Sequence, residues 1–423
     1  MIMEISCPNL FRSIVKATAL SVLLGVGRSG TPQAEAAPLV VAVAGSVQLG
    51  STAVDQNAVA FTITGMSGVV RMGDGTFAAV MDNSNKIVRF SLNVNASDGA
   101  VSSPSVLPGV SLAQQRDFEG IALIPPSGTG FGVGDILLSD EGVAGSVLPM
   151  VTRWNLSTGS LLGLLDTPPV FAAIRPNFGF ESLASGTGRT GLPEAWTANE
   201  EALTTDGPGS SATDATMIRL LRYVNGVPSQ QFAYVCDPWH GGAITGGARS
   251  GLSDLCMLPD GRLLALERSF AFSGSGFFRT RIYEVNTAAA TDVSAIASLN
   301  AGGFTPAAKT LLYSGFLQNV EGLCVGPALA AAGTFSLIGI TDDADPISTN
   351  TVYAWRISGV GPPPCPADLN GDGQRNTADL TAFLGAFGRT GAPGFIAADL
   401  NGDGVVNTAD LVTFLGRFGV ACP

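Results

Sequence analysis

Oxygen-bearing side chains recur at one strict spacing near the C-terminus. Asp368, Asn370, Asp372, Asn376 and Asp379 occupy positions 1, 3, 5, 9 and 12 of a twelve-residue stretch, and Asp399, Asn401, Asp403, Asn407 and Asp410 repeat the pattern 31 residues later. Calcium takes roughly six to eight oxygens, and this spacing wraps side chains around one ion. The carbonyls of Gln374 and Val405 can supply position 7, and Gly373 and Gly404 stand where such a loop turns sharply. Each stretch runs into an apolar stripe, Leu380, Phe383, Leu384 and Phe387 in the first copy and Leu411, Phe414, Leu415 and Phe418 in the second. The i, i+3, i+4, i+7 spacing predicts two short helices that pack on each other. Two features depart from an ordinary EF-hand pair: Asp replaces Glu at position 12, and no helix precedes either loop.

A second set of acids is dispersed through the body of the chain. Glu119, Glu181, Asp254 and Glu321 each open a short apolar run, and a fifth run, Ser67-Gly-Val-Val, lacks the acid. A second run in each unit ends in a polar or acidic pair: Asp82-Asn83, Asp140-Glu141, Asn199-Glu200, Glu267-Arg268 and Asp342-Asp343. A third run carries an aromatic residue, namely Phe90, Trp154, Tyr223, Tyr283 and Trp355 in turn. If the four opening acids converge they repel one another, and a cation between them is the simplest compensation. In a chain with one histidine and no C-x-x-C pair that cation is calcium, with Asn177 and Asn319 adding neutral oxygens. The alternative is that each acid bonds backbone within its own unit.

The elements that must position these residues are strands. Charged residues make up only 13% of the chain, and 54 Gly and 25 Pro break it into short β-rich runs. Five three-strand units at a period of 52 to 73 residues predict an all-β fold, a β-propeller of five or six blades, plus a small α module carrying the calcium loops. Inner strands line a propeller's channel, so their opening residues gather at one mouth. The expected organisation is a propeller at 37–358, a linker at 359–364 and the loop–helix module at 365–423. The linker, Gly359-Val-Gly-Pro-Pro-Pro364, reads as stiff and extended, holding the module away from the propeller.

Arg12 and Lys16 precede an apolar run at 17–26 that is too short to cross a bilayer, and Ala34-Glu35-Ala36 fits a small-x-small cleavage site. Residues 1–36 therefore read as an export signal, giving a secreted or cell-surface protein with no membrane span after cleavage. Export permits disulfides among Cys236, Cys256, Cys324, Cys365 and Cys422, and the odd count leaves one thiol over. A bridge between Cys365 and Cys422 would staple the ends of the thin-cored module. The net charge of −12 excludes a basic stripe for nucleic acid or anionic lipid.

The segment 365–423, bracketed by Cys365-Pro-Ala-Asp and Ala-Cys422-Pro, resembles dockerin type I modules. That resemblance implies two calcium ions and a cohesin-like or cell-surface protein partner. Residues from about 60 to 357 resemble the family known as esterase-like activity of phytase, a set of exported phytase-like propellers. The matching stretches are Asp117-Phe-Glu119-Gly-Ile, Ser139-Asp140-Glu141-Gly, Asn177-Phe-Gly-Phe-Glu181, Ala198-Asn199-Glu200, Gly251-Leu-Ser-Asp254, Leu266-Glu267-Arg268 and Asn319-Val-Glu321-Gly-Leu. The family name implies hydrolysis of an ester or phosphate ester.

The residues narrow the chemistry. No G-x-S-x-G elbow occurs, and the single histidine, His240, follows Trp239 where a histidine phosphatase would carry an arginine. A triad is disfavoured and the phosphatase route excluded. Metal-assisted hydrolysis remains, with one or more calcium ions in the propeller, Asp140 or Glu200 taking a proton from water, and Arg268 contacting an anionic oxygen. Arg268 reads equally well as an ion-pair partner of Glu267 or another local acid, and His240 as a surface residue. The expected function is a calcium-dependent phosphoesterase or esterase acting on a small anionic or ester substrate. A non-catalytic propeller that binds calcium and a ligand or protein is the alternative.

Overall fold

Runs separated by turns of a few residues can only pair antiparallel, and the chain folds accordingly. The computed structural model describes residues 37–125, 135–239, 247–271, 278–345, 347–370, 373–391 and 396–422. The expected export signal at 1–36, His240 and Asp372 lie outside the described residues. The opening strand β1 (Val40–Gln48) is followed by a small hairpin, β2 (Thr52–Val54) and β3 (Ala60–Thr62). Blade one is β4 (Met66–Arg71), β5 (Phe77–Met81), β6 (Ser84–Val94) and β7 (Val101–Arg116). Blade two is β8 (Phe118–Leu123), β9 (Ile136–Asp140), β10 (Met150–Asn155) and β11 (Ser160–Leu165). Blade three is β12 (Ala184–Thr187), β13 (Pro193–Ala198), β14 (Thr216–Val224) and β15 (Val227–Cys236). Blade four is β16 (Ala248–Met257), β17 (Leu263–Ala271), β18 (Phe278–Asn286) and β19 (Ala308–Gly315). Blade five has β20 (Val320–Ala328), β21 (Thr334–Thr341) and β22 (Thr351–Ser358), and β1 supplies its fourth strand.

Each blade is a four-stranded meander, and β1 pairs with β22 from Val40↔Ser358 to Gln48↔Thr351. That pairing closes the ring between the two ends of the domain and fixes the blade number at five. Side chains of a strand alternate between two faces, and in a propeller both faces are covered. In β5, Ala79 packs toward blade five, while Ala78 and Val80 pack toward blade two. Five apolar clusters result, one in each gap between neighbouring blades. The unit aromatics are their anchors: Phe118 meets Trp154 edge-on at 5.7 Å, and Tyr313 meets Trp355 at the same separation.

The C-terminal segment forms two helices, α1 (Thr377–Ala386) and α2 (Thr408–Leu415). Asn376 and Asn407 cap them, and Asp379 and Asp410 complete reciprocal capping boxes. Phe383 and Phe414 are buried against each other at 5.6 Å, and a disulfide joins Cys365 to Cys422. Cys236, Cys256 and Cys324 are free and buried.

The linker does not stand off from the propeller as its proline content suggested. Arg262 donates to the carbonyls of Ala37 and Gly359, Asp260 accepts from the Gly361 nitrogen at 2.7 Å, and Val360 is buried. Asn225 then donates to the Asn401 carbonyl at 2.9 Å, so the second loop rests on blade three. The three prolines stiffen the linker, but the residues before them find partners in the Arg262 and Asp260 side chains of blade four and the Gly333 carbonyl of blade five. Among the described residues no helix is long and apolar enough to cross a membrane.

Candidate functional site

The first strand of four blades slips in register near its start. The pairing jumps between Met66 and Val69, Phe118 and Ile121, Leu252 and Asp254, and Val320 and Gly322. A bulge of this kind leaves residues out of the ladder and re-aims their side chains. Directly after the last paired apolar residue come Ser67, Glu119, Ser253 and Glu321, and in blade three Glu181 follows Phe180, which bridges Asn199. Glu119, Glu181 and Glu321 meet: one carboxylate oxygen from each lies within 4.8 Å of the others. Their strands approach so closely that a Cβ on Gly120 would stand 2.6 Å from the Leu183 nitrogen of the next blade.

A second ring comes from the far ends of the second strands. Met81, Asp140, Asn199, Glu267 and Thr341 pair with the first strands opposite Met66, Phe118, Phe180, Leu252 and Val320. The next residue in each case faces a shared pocket: Asp82, Glu141, Glu200, Arg268 and Asp342. Asn177, Phe178, Arg249, Phe270 and Asn319 complete much of the wall around a volume of about 280 Å³. The Arg268 guanidinium lies 3.0 Å from Glu200, 3.4 Å from Glu321 and 4.0 Å from Glu181. Asn319 donates to Glu321 and Asp342, while its own buried Oδ1 has no hydrogen-bond partner. Two further carboxylate trios share members with the first, Asp82–Asp117–Glu119 and Glu141–Glu181–Glu200.

Seven carboxylates and two guanidinium groups line this space, so full ionisation leaves it strongly negative. Burial pushes Glu119 and Glu181 well above the usual carboxylate range, and neighbouring acids push the same way. Burial likewise lifts Glu321 to about 8 and Glu200 to about 7, against the pull of Arg268. Asp117 rises to about 8 through burial and its hydrogen bond with Asp82. Burial opposes the Arg268 charge, but Glu321, Glu200 and Glu181 outweigh it and hold the guanidinium protonated. Neutral, proton-sharing acids are one way to tolerate such crowding, and a hard cation is the other. The residues present fit that cation: carboxylates from three blades, an unpartnered amide oxygen, and no thiolate or histidine among the described lining residues.

The structure places the expected residues unevenly. Glu119, Glu181, Glu321, Glu200, Arg268, Asn177 and Asn319 all line the pocket. Asp254 does not: its oxygens accept from the Leu183, Leu255 and Leu323 nitrogens, tying blade four to blades three and five. The reason is a one-residue slip in the repeat alignment. The apolar–x–small–apolar frame shared by Phe118-Glu-Gly-Ile and Val320-Glu-Gly-Leu reads Leu252-Ser-Asp-Leu in blade four, so Ser253 corresponds to the acids and Asp254 to Gly120. Asp140 also points elsewhere, pairing with Arg116 at 3.1 Å and accepting from the Gly142 nitrogen, because alternation gives the pocket to Glu141. Glu267 is turned away in the same manner and binds Tyr234, Lys309 and Arg281, so the ion pair that Arg268 makes is with Glu200, Glu181 and Glu321. Glu141, Asp82 and Asp342 were visible in the sequence as members of pairs. Phe178 stood within the Asn177-Phe-Gly-Phe-Glu181 stretch without a role of its own, and Arg249 carried no motif.

In the C-terminal loops the carboxylates already organise backbone. Asp379 accepts from the nitrogens of Leu369, Asn370 and Asn376, and Asp410 from those of Asn401 and Asn407. Asp399 accepts from Gly402, Asp403 and Gly404, and Asp368 from Gly373. Oxygens of Asp399, Asp403 and Asp410 lie within 4.8 Å of one another. Asn401 exchanges hydrogen bonds with Asp403, and Asn407 donates to the Val405 carbonyl. Position 12 thus closes each loop onto the start of its helix.

A family model described as "Phytase-like: Esterase-like activity of phytase" matches residues 62–344. No curated protein matches the chain. Solved structures with a similar course include a glucose-dehydrogenase-type oxidoreductase from Thermus thermophilus, 13% identical over 76% of this chain and 100% of that one, with a TM-score of 0.33. An endo-arabinase from Bacteroides thetaiotaomicron is 11% identical over 72% of this chain and 96% of its own, at 0.37. An α-L-arabinanase from Penicillium chrysogenum is 10% identical over 72% and 85%, at 0.33. Likenesses at this level carry no argument about activity.

Proposed function

The chain belongs to the phytase-like family, and we propose that its axial pocket is a calcium-dependent phosphoesterase or esterase site. The observation that carries this reading is the meeting of Glu119, Glu181 and Glu321, from three blades. These three would hold the cation. Calcium bound there supplies charge neutralisation, polarisation of the substrate oxygen and a lowered pKa for water. Glu200, lifted to about 7, is poised to accept a proton near neutral pH, and Arg268 fixes its orientation at 3.0 Å.

The C-terminal module is proposed as a dockerin that binds two calcium ions through Asp368, Asn370, Asp372, Gln374, Asn376 and Asp379 and through Asp399, Asn401, Asp403, Val405, Asn407 and Asp410. It would fasten an exported propeller to a cohesin-like or cell-surface protein. Support comes from the duplicated spacing and from the exposed Leu384, Phe387, Leu415 and Phe418, related by the repeat and left for a partner to cover. Phosphate release from phytate and nitrophenol release from simple esters, with calcium and with chelator, test the activity. Loss of both with Glu119→Gln supports the site. A second reading has its own observation: carboxylates from blades two, three and five meet at one point, so a cation there could rivet the ring without any chemistry. Calcium-dependent stability without turnover would select it.

A further inference from the structure

Two guanidinium groups reach the axial pocket, and they are not equivalent. Arg268 lies deep, with 19% of its side chain exposed and three carboxylates within 4.0 Å. An anion approaching it would meet those carboxylates at nearly the same distance, so little of its attraction is left over. Arg249 stands at the rim on β16, its side chain 60% exposed. Among the described residues its one ion pair is with Glu201, at 3.3 Å. The guanidinium carbon sits 4.8 Å from the centre of the Phe178 ring, a stack that fixes its plane and leaves its donor edge open.

The platform beneath Arg249 is itself rigid. Gly179 donates to Glu141 Oε1 at 3.1 Å and passes so near that a Cβ would lie 1.9 Å from the Glu141 carbonyl oxygen, which forces glycine there. Asn177, on the other side of Phe178, adopts a left-handed backbone with φ of 62°. Glu201 is buried and anchored by Ser210 at 3.1 Å, so its pull on Arg249 comes from a fixed point. A planar fork on a held aromatic is pre-organised for a phosphate oxygen pair, which a flexible lysine is not.

We infer that Arg249, cushioned on Phe178, binds the anionic end of the substrate, and that the pocket therefore selects a phosphate monoester over a neutral ester. This rests on the hydrolase reading above and names its substrate class. The test uses the full chain in calcium-containing buffer. Inorganic phosphate is titrated by calorimetry, and nitrophenyl phosphate and nitrophenyl acetate are compared in steady state. Arg249→Gln is expected to weaken phosphate binding about tenfold or more and to raise KM for nitrophenyl phosphate alike, with kcat little changed and nitrophenyl acetate unaffected. Arg249→Lys recovers part of the loss, and Glu201→Gln, by removing the competing acid, tightens phosphate. Unchanged phosphate affinity in Arg249→Gln, equal losses on both esters, or no phosphate binding by the native chain overturns the inference. If neither ester is cleaved yet phosphate binding still depends on Arg249, the hydrolase reading falls and the anion site stands.

Discussion

Removing divalent cations from the axial pocket should make the propeller less stable as pH rises, and calcium should abolish or reverse that trend. Glu321 has its carboxyl lifted to about 8 by burial, and Glu200 to about 7. Each group is protonated in the cation-free fold at pH values where it is ionised in the unfolded chain. Its contribution is thus fully present below the unfolded value near 4.5 and is lost progressively until the folded group ionises, at about 8 for Glu321. At ~1.4 kcal/mol per tenfold step, Glu321 alone accounts for roughly 5 kcal/mol between those limits. Arg268 serves both glutamates, so the two are not summed. For a domain of this size that loss lowers Tm by roughly 5–10 °C. All four tryptophans, Trp154, Trp196, Trp239 and Trp355, lie in the propeller and none in the C-terminal module, so tryptophan fluorescence reads the propeller alone. Melting in chelator between about pH 5 and pH 8 should show the fall, with the calcium-dependent gain in Tm widest at the upper end. A cation-free Tm that stays flat or climbs over that window refutes the electrostatic argument, and so does a calcium gain that is equal at both ends.

Chelation should unfold residues 365–423 while leaving tryptophan fluorescence at neutral pH largely native, because the module's core is little more than the Phe383–Phe414 pair and its neighbours; unchanged far-UV circular dichroism on chelator addition would count against it. Asp254→Ala should destabilise the propeller by roughly 3 kcal/mol or more, since three backbone N–H groups lose their acceptor, yet leave calcium stoichiometry in the pocket unchanged by calorimetry. Asp140→Asn should leave esterase and phosphatase kcat within a few-fold, whereas Glu200→Gln should abolish them. A pull-down on envelope proteins should recover a calcium-dependent partner that is lost when Leu384 and Leu415 are both changed to Glu, and recovery by that variant would exclude this surface.

The blades were legible because their signals are local. Turn residues, apolar runs and one aromatic per unit recur five times, and each has a direct reading in the strand ladder. The inner-ring acids were legible for the same reason, except where the reading hinged on register. In blade four a single-residue slip exchanges Ser253 for Asp254, and the same alternation sends Asp140 and Glu267 out of the pocket while Glu141 and Arg268 enter it. The apolar residues flanking each acid, not the acid itself, hold the register, and aligning on Leu252 and Leu255 would have placed Asp254 correctly. What the sequence could not carry is the rim. Arg249 precedes Asp254 by five residues and Phe178 belongs to another blade, so their stacking depends on the closed ring. The docked linker was illegible for a related reason, since its partners Asp260 and Arg262 lie about a hundred residues away in sequence.

Blade four departs furthest from the fivefold plan, since both guanidinium groups lining the pocket come from it. At the inner ring it carries Ser253, as blade one carries Ser67, where blades two, three and five carry Glu119, Glu181 and Glu321. At the second ring it carries Arg268 where the other blades carry Asp82, Glu141, Glu200 and Asp342. At the rim it carries Arg249. Both guanidinium groups therefore fall on one side of a pocket of about 280 Å³, giving it a negative wall on blades one, two, three and five and a positive edge on blade four. Arg268 offsets the crowded acids in either reading. A site built only to rivet blades with a cation gains nothing from the further asymmetry that Arg249 brings, because each added positive charge weakens the hold on that cation. A site that holds a cation on one side and an anion on the other requires it.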